Sequence, residues 1–287
     1  MDLFDKKIFV PLDFSDCSLD ALRFAAAVAH KINASLEVLH VVETYKYNSR
    51  IQKVLDYTEV LEKEVSERID DFRTDNSILW GLKTNIHIAN GKIYRKILEY
   101  ADDLNPDIIV MGTQGASGIN EMEKYFLGSN AYRVVYNANC PVITLRSAPK
   151  EIKFEKIILA LDVDKATREK VDSIIQWGKA LGAELCLTTV TESLDEMRSK
   201  ADEINDKLNE LAEIIKEEGI LCGSKLIRNG EVTKSIINHA EEVGADMIAI
   251  MTTKENILTE LFLGSTARRI IQHSTVPVLS THPTRTK

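Results

Sequence analysis

The sequence predicts an α/β protein made of two tandem, doubly wound parallel-sheet domains with five strands each. Three observations carry that expectation. The chain repeats its own motifs in the same order. Each repeat alternates short apolar runs with amphipathic helical stretches, the pattern of a parallel sheet wound by right-handed crossovers. A length of 287 residues suggests about two domains at roughly 150 residues each.

The repeat is visible motif by motif. His87-Ile88-Ala89-Asn90-Gly91-Lys92-Ile93 matches Leu226-Ile227-Arg228-Asn229-Gly230-Glu231-Val232, and both run into a helical stretch. Pro106-Asp107-Ile108-Ile109-Val110-Met111 matches Ala245-Asp246-Met247-Ile248-Ala249-Ile250. Phe126-Leu127-Gly128-Ser129 matches Phe262-Leu263-Gly264-Ser265, and Cys140-Pro141-Val142-Ile143 matches Val276-Pro277-Val278-Leu279. At the front, Ile8-Phe9-Val10-Pro11-Leu12-Asp13 matches Ile157-Ile158-Leu159-Ala160-Leu161-Asp162. The turn-forming stretch Ser147-Ala148-Pro149-Lys150 divides the chain into domains 1–149 and 150–287.

The elements follow in order. Strands are expected near 7–12, 35–42, 80–88, 107–112 and 141–145, then near 156–161, 183–190, 221–228, 245–251 and 276–280. Their β-branched and apolar composition suits parallel strands buried on both faces. Leu19, Leu22, Ala26 and Ala29 recur at helical steps and mark one buried helix face. Residues 51–72 read as a longer charged helix, and Ala131–Asn137 as a shorter one.

Bulk chemistry narrows the function. The net charge is −8 and the pI about 5.4, against the basic surface that general nucleic-acid binding needs. No apolar run approaches the roughly 18 residues of a membrane helix. The start, Met1-Asp2-Leu3-Phe4-Asp5-Lys6-Lys7, lacks the pattern of a secretory leader. A cytoplasmic location without nucleic-acid or membrane partners is expected. Cys17, Cys140, Cys186 and Cys222 form no CxxC or zinc-type spacing and are expected as reduced thiols. The scattered histidines, His40 and His87 among them, read as packing or structural hydrogen-bond residues. No metal site and no activated nucleophile with its base is recognised.

The chemistry concentrates in Met111-Gly112-Thr113-Gln114-Gly115-Ala116-Ser117-Gly118, followed by Gly128-Ser129-Asn130. This stretch leaves a buried strand and enters a helix. Glycines let backbone amides approach a phosphate, and a helix start offers unpaired N–H groups and a positive dipole end. Asp13 ends the first strand, at the crevice where doubly wound sheets bind ligands. Its carboxylate suits an adenine amino group or a ribose hydroxyl; equally, it suits a cap for the helix beginning near Ser15 to Ser18.

Val10-Pro11-Leu12-Asp13-Phe14-Ser15, Leu39-His40-Val41-Val42 and the Met111–Ser129 stretch together resemble the universal stress protein family, over essentially the whole chain. The family signature is glycine, two residues, glycine, nine residues, glycine, then serine or threonine. The resemblance implies Rossmann-like, adenine nucleotide alpha-hydrolase-like domains. It implies that Asp13 and Val41, beside Pro11, hold adenine. Met111 and Gly112 would line the ribose. Gly112, Gly115, Gly128, Ser129 and Asn130 would hold phosphates. The implied ligand is ATP, or AMP or ADP, with or without Mg2+. The implied assembly pairs the two domains within the chain through Pro141–Leu145 and Pro277–Ser280, with homodimer formation as a further mode.

Two departures stand out. Twelve residues, not nine, separate Gly115 from Gly128, which implies a loop longer by three residues near Asn120–Lys124. Gly115, Gly118 and Gly128 satisfy the spacing literally, but that choice moves the turn away from the strand end. In the second repeat Met251 and Lys254 stand at the glycine positions, although Asp162, Gly264 and Ser265 remain. The second site is therefore expected to be degenerate. A nucleotide-binding stress or regulatory protein, not an enzyme, is the leading expectation. A slow ATPase of the same fold and a nucleotide-independent interaction module are the alternatives.

Overall fold

The computed structural model describes residues 6–43, 54–115, 127–162, 168–191, 194–228, 230–252 and 263–281. The chain divides into two compact units, the first drawn chiefly from residues before Pro149 and the second chiefly from those after it. Each is an α/β unit with a parallel sheet.

In the first domain the elements are β1 (Lys6–Pro11), α1 (Asp16–Ile32), β2 (Ala34–Val42), α2 (Val54–Asp75), β3 (Thr84–Asn90), α3 (Ile93–Leu104), β4 (Ile108–Gly112), α4 (Ser129–Asn137) and β5 (Val142–Leu145). The strand order is β3-β2-β1-β4-β5, with β1 parallel to both β2 and β4. The chain thus reverses its winding direction between β1 and β4. Ile8, Phe9 and Val10 of β1 and Ile108, Ile109 and Val110 of β4 are fully buried, as strands covered on both faces must be.

The second domain repeats the scheme with β6 (Lys156–Ala160), α5 (Arg168–Leu181), β7 (Glu184–Thr191), α6 (Leu194–Glu217), β8 (Cys222–Arg228), α7 (Val232–Glu242), β9 (Met247–Met251), α8 (Ser265–His273) and β10 (Val278–Thr281). Its order, β8-β7-β6-β9-β10, is the same winding.

Local chemistry sets the ends of these elements. Ser15 caps α1 by accepting from the Ser18 N–H, and Asn33 closes it in the left-handed conformation with φ 53°. Asn105 closes α3 in the same way at φ 46°. The buried face of α1 carries Leu22, Ala25, Ala26 and Ala29, and its small residues let the helix lie close to the sheet. Leu19, expected on that face, is half-buried. Strand β3 starts at Thr84, not near residue 80, because Ser77–Leu79 forms a 3-10 turn and Gly81 turns the chain at φ +76°. α4 begins at Ser129, two residues earlier than expected. The first part of the expected 51–72 helix, residues 51–53, lies outside the described residues.

At the amino ends of the central strands the two domains share a carboxylate clamp. Asp107 Oδ2 accepts from the Lys7 N–H at 2.8 Å, and the Lys7 ammonium donates to the Leu104 carbonyl at 3.1 Å. Asp246 Oδ2 accepts from the N–H groups of Glu155 (2.7 Å) and Lys156 (3.0 Å), while the Lys156 ammonium donates to the Val243 carbonyl at 3.1 Å. This explains why an aspartate precedes the fourth strand in both repeats.

A second polar cluster lies inside the first domain. Glu37 on β2 is 4% exposed. Its oxygens accept from Asn85 Nδ2 at 2.8 Å and meet His87 Nε2 at 2.7 Å, both on β3. The Tyr100 and His87 rings meet edge to face, with centroids 5.7 Å apart. His87 is therefore a structural hydrogen-bonding histidine, as its strand position suggests. Removing a buried charged acceptor strands its donors, which costs about 1.5–3 kcal/mol. Glu37→Ala is expected to lower stability by about 2–3 kcal/mol in urea unfolding of the full chain. A loss below about 0.5 kcal/mol would show that water replaces the carboxylate without penalty.

Candidate functional site

The candidate site is the carboxyl edge of β1 and β4 in the first domain, where the winding reverses. Pro11 closes β1, and Leu12 continues the ladder by donating to the Leu39 carbonyl at 2.9 Å. Asp13 follows, with an exposed side chain. Its Oδ1 accepts from the Ser15 N–H at 3.0 Å and the Ser15 hydroxyl at 2.5 Å, and its own N–H donates to Ser18 Oγ at 3.3 Å. Ser15, not Asp13, is the N-cap of α1; Asp13 buttresses that cap from outside.

Phe14 makes this geometry possible. Its backbone is left-handed at φ 61°, an uncommon conformation for a bulky residue. The ring lies between His40, at 5.4 Å between centroids, and the Arg68 guanidinium, 3.9 Å above its centroid. His40 Nδ1 bonds the Leu12 carbonyl at 2.8 Å. These contacts hold the turn that presents Asp13. His40 reads from the sequence as a structural residue, whereas Phe14 and Arg68 carry no such signal, because no periodic pattern marks a left-handed phenylalanine.

Gly112 ends β4 against the first turn of α1. A Cβ there would lie 2.6 Å from Cys17 Sγ and 3.1 Å from the Cys17 carbonyl carbon and oxygen. Only glycine permits this approach. Burial pushes the Cys17 thiol pKa up, while hydrogen bonds from the Gln114 and Thr113 backbone and the Thr113 side chain oppose that shift. Gly115 faces Asp13: a Cβ on residue 115 would lie 2.7 Å from Asp13 Oδ2. Gly128 closes the loop's other end, its N–H donating to the Thr113 carbonyl at 2.8 Å.

α4 then starts with Gly128 as N-cap and no side-chain capping bond. The N–H groups of its first turn have no intrahelical partner. Ser129 is exposed and Asn130 half-buried at this turn. The structure therefore gathers Asp13, Gly112, Gly115, Gly128, Ser129 and Asn130 around the two ends of one loop. Met111 is 6% exposed with its side chain in the core, so its backbone is what a ligand would meet. Val41 lies on β2 opposite Ala89, two positions past the end of the β1 ladder. The link from β2 to the Asp13 turn is made by His40, not Val41. Gly118 and the Asn120–Lys124 stretch lie outside the described residues.

In the second domain Leu161 donates to the Thr188 carbonyl at 3.1 Å, and the Thr189 hydroxyl donates to the Leu161 carbonyl at 2.9 Å. Thr189 thus takes the place of His40, and Asp162 stays exposed. Met251 ends β9 where Gly112 ends β4. Lys254 lies outside the described residues. α8 also begins at a glycine, Gly264, without a side-chain capping bond.

The close contact at Gly112 has a measurable consequence. Gly112→Ala is expected to destabilise the chain by about 1–3 kcal/mol through overpacking. Adding Cys17→Ala relieves the sulfur clash only, because the Cys17 carbonyl stays in place, so thermal unfolding is expected to show partial recovery. Full recovery would show that sulfur alone sets the spacing.

Comparison with known proteins gives a consistent picture. The family model described as the universal stress protein family matches residues 5–146 and again 153–282. A universal stress protein of Methanocaldococcus jannaschii is 32% identical over 151 residues, spanning 51% of this chain and 85% of that protein. Universal stress protein YxiE of Bacillus subtilis is 29% identical over 148 residues, spanning 49% of this chain and 98% of that protein. Among solved structures, a universal stress protein from Archaeoglobus fulgidus superposes with a TM-score of 0.73 at 22% identity, covering 96% of this chain and 98% of that one. That likeness speaks to the fold. Two successive matches to the family model cover nearly all of the sequence, and the chain accordingly belongs to the universal stress protein family, with two tandem family segments.

Proposed function

We propose that the first domain binds an adenine nucleotide and that the protein works as a stress-response or regulatory binding protein whose state reports nucleotide occupancy. The observation that carries this is the cradle at the end of β4. There Gly112 and Gly115 stand where a Cβ would collide with Cys17 or Asp13, beside a helix start without a side-chain cap. Bare backbone amides at a helix N-terminus suit phosphate oxygens. Gly115, Gly128, Ser129 and Asn130 would hold the phosphates, and the backbone of Met111 and Gly112 would line the ribose. The exposed Asp13 carboxylate, oriented by Ser15, would accept from the adenine amino group or a ribose hydroxyl, with Pro11 and Val41 flanking the base. A bound ATP would bring its phosphate charge, with or without Mg2+, to a site whose own donors are neutral amides and hydroxyls.

The second domain serves as a partner, not a second nucleotide site. Met251 puts a side chain where the first domain has only a hydrogen atom.

Mass spectrometry of small molecules released from the denatured protein is expected to find an adenine nucleotide. Calorimetric titration of nucleotide-free chain should give one site per chain; two equal sites would show that Met251 leaves the second cradle open. Asp13→Ala is expected to weaken binding by about ten- to a hundredfold, the value of one charged hydrogen bond. Its unfolding temperature should stay near that of the parent, because Ser15 keeps its own bond to Ser18. Unchanged affinity would reduce Asp13 to a support for the α1 cap.

A further inference from the structure

At the N-caps of α3 and α7, a matched place outside the glycine cradle, the two domains carry opposite charge. In the second domain Arg269 stands four residues after Ser265 on α8 and forms a 3.0 Å ion pair with Glu231, the N-cap of α7. In the first domain Arg133 stands four residues after Ser129 on α4. The residue matched to Glu231 is Lys92, the N-cap of α3. The carboxylate of one repeat is an ammonium in the other.

Arg95 adds a third cation. All three surround the Tyr94 ring: the Arg133 guanidinium carbon lies 4.6 Å from the ring centroid, Lys92 Nζ 5.3 Å and the Arg95 guanidinium carbon 6.0 Å. Arg95 Nε donates to the Tyr94 hydroxyl at 3.2 Å. The Tyr94 pKa is held below its usual value, first by that Arg95 bond and then by Arg133. Lys92, Arg95 and Arg133 are exposed, and no carboxylate among the described residues pairs with any of them. Like charges gathered this closely repel one another, and an anion among them removes that repulsion.

One member of the cluster stands on the helix that opens at the cradle. Arg133 follows Ser129 by one helical turn on the same helix face. Helical side chains lean toward the amino end, so the stem of Arg133 starts toward the uncapped first turn of α4, and its guanidinium ends over the Tyr94 ring. Guanidinium groups match phosphate oxygens in pairs.

We infer that Lys92, Arg95 and Arg133 form an anion subsite for the outer phosphates of a polyphosphorylated adenine nucleotide, so that the first domain prefers a triphosphate to a monophosphate. This rests on the nucleotide reading proposed above. The inner phosphate stays with Gly115, Gly128 and Ser129, and the cations act only on what lies beyond it.

Calorimetric titration of the full nucleotide-free chain with AMP, ATP and inorganic triphosphate, at about 0.15 M salt to screen distant charges, tests the inference. ATP is expected to bind at least about tenfold tighter than AMP. Lys92→Glu, which gives the first domain the counterpart of Glu231, and Arg133→Gln should each weaken ATP by about tenfold and leave AMP essentially unchanged. Retained AMP binding certifies that these variants fold. Lys150→Glu, with the same change in charge elsewhere, should leave both nucleotides unaffected.

Equal affinity for ATP and AMP in the parent chain overturns the inference while the nucleotide reading stands. A parallel loss of both nucleotides in the variants, or an equal loss of ATP in Lys150→Glu, also overturns it. Binding of inorganic triphosphate that depends on Lys92 while ATP binding does not would assign the cluster to a separate anion and overturn the nucleotide assignment. Failure of the parent chain to bind either nucleotide removes the nucleotide reading itself, and this inference with it.

Discussion

The first domain is organised around a side chain that is missing. At residue 112 the end of β4 and the first turn of α1 come so close that a single methyl group would overlap the Cys17 sulfur and crowd its carbonyl. That spacing fixes where α1 begins, and so where Ser15 caps it and where Asp13 is held. It also fixes where the loop leaves β4, and so the Thr113 carbonyl that receives the Gly128 N–H before α4 starts. Asp13 and α4 belong to segments more than a hundred residues apart in sequence. The strand order brings them to the same edge of the sheet, and the hydrogen atom at residue 112 lets α1 pack close against it.

Much of this was legible in the sequence. The repeat, the alternation of strand and helix and the glycine spacing each report on backbone packing. Buried parallel strands must be apolar throughout, and a close approach leaves a glycine that can be read directly. What stayed hidden depends on contacts without a local pattern. Strand β3 begins late because a 3-10 turn takes up the residues before it, and the apolar run there reads equally well as strand. Phe14 adopts a glycine-like backbone while packed between His40 and Arg68, and nothing in the word Asp-Phe-Ser announces it. Lys92 and Arg133 reach the same Tyr94 ring only because α3 and α4 pack side by side.

The matched interiors show how the two halves have diverged. Glu37 on β2 and Cys186 on β7 occupy the same register, opposite Phe9 and Ile158. In the first domain this place holds a carboxylate bound to Asn85 and His87. In the second, the Cys186 thiol lies 3.8 Å from Nε2 of the buried His239, and burial pushes its pKa up. That shift disfavours the thiolate, so the half-buried Cys186 reads as a structural thiol. The backbone has been kept, and the polar contents beneath α3 and α7 have been exchanged as whole sets. Partial exchange would strand buried donors or acceptors.

The aspartate clamp at the amino ends of the central strands follows a different rule. Asp107 and Asp246 share the contact to the first strand's lysine N–H, beside the same lysine-to-carbonyl bond, and Asp246 adds the Glu155 N–H. Each clamp locks the first and fourth strands of its sheet against sliding, at the edge opposite the variable loops. A loop at the carboxyl edge can then gain residues, lose its glycines or change its charge without shifting the strands' alignment. The fold thereby separates heritable novelty from structural risk. A duplicated gene for such a domain can explore new ligand mouths while its foundation stays intact, and the same separation makes the carboxyl-edge loops of this scaffold natural points for grafting foreign binding segments.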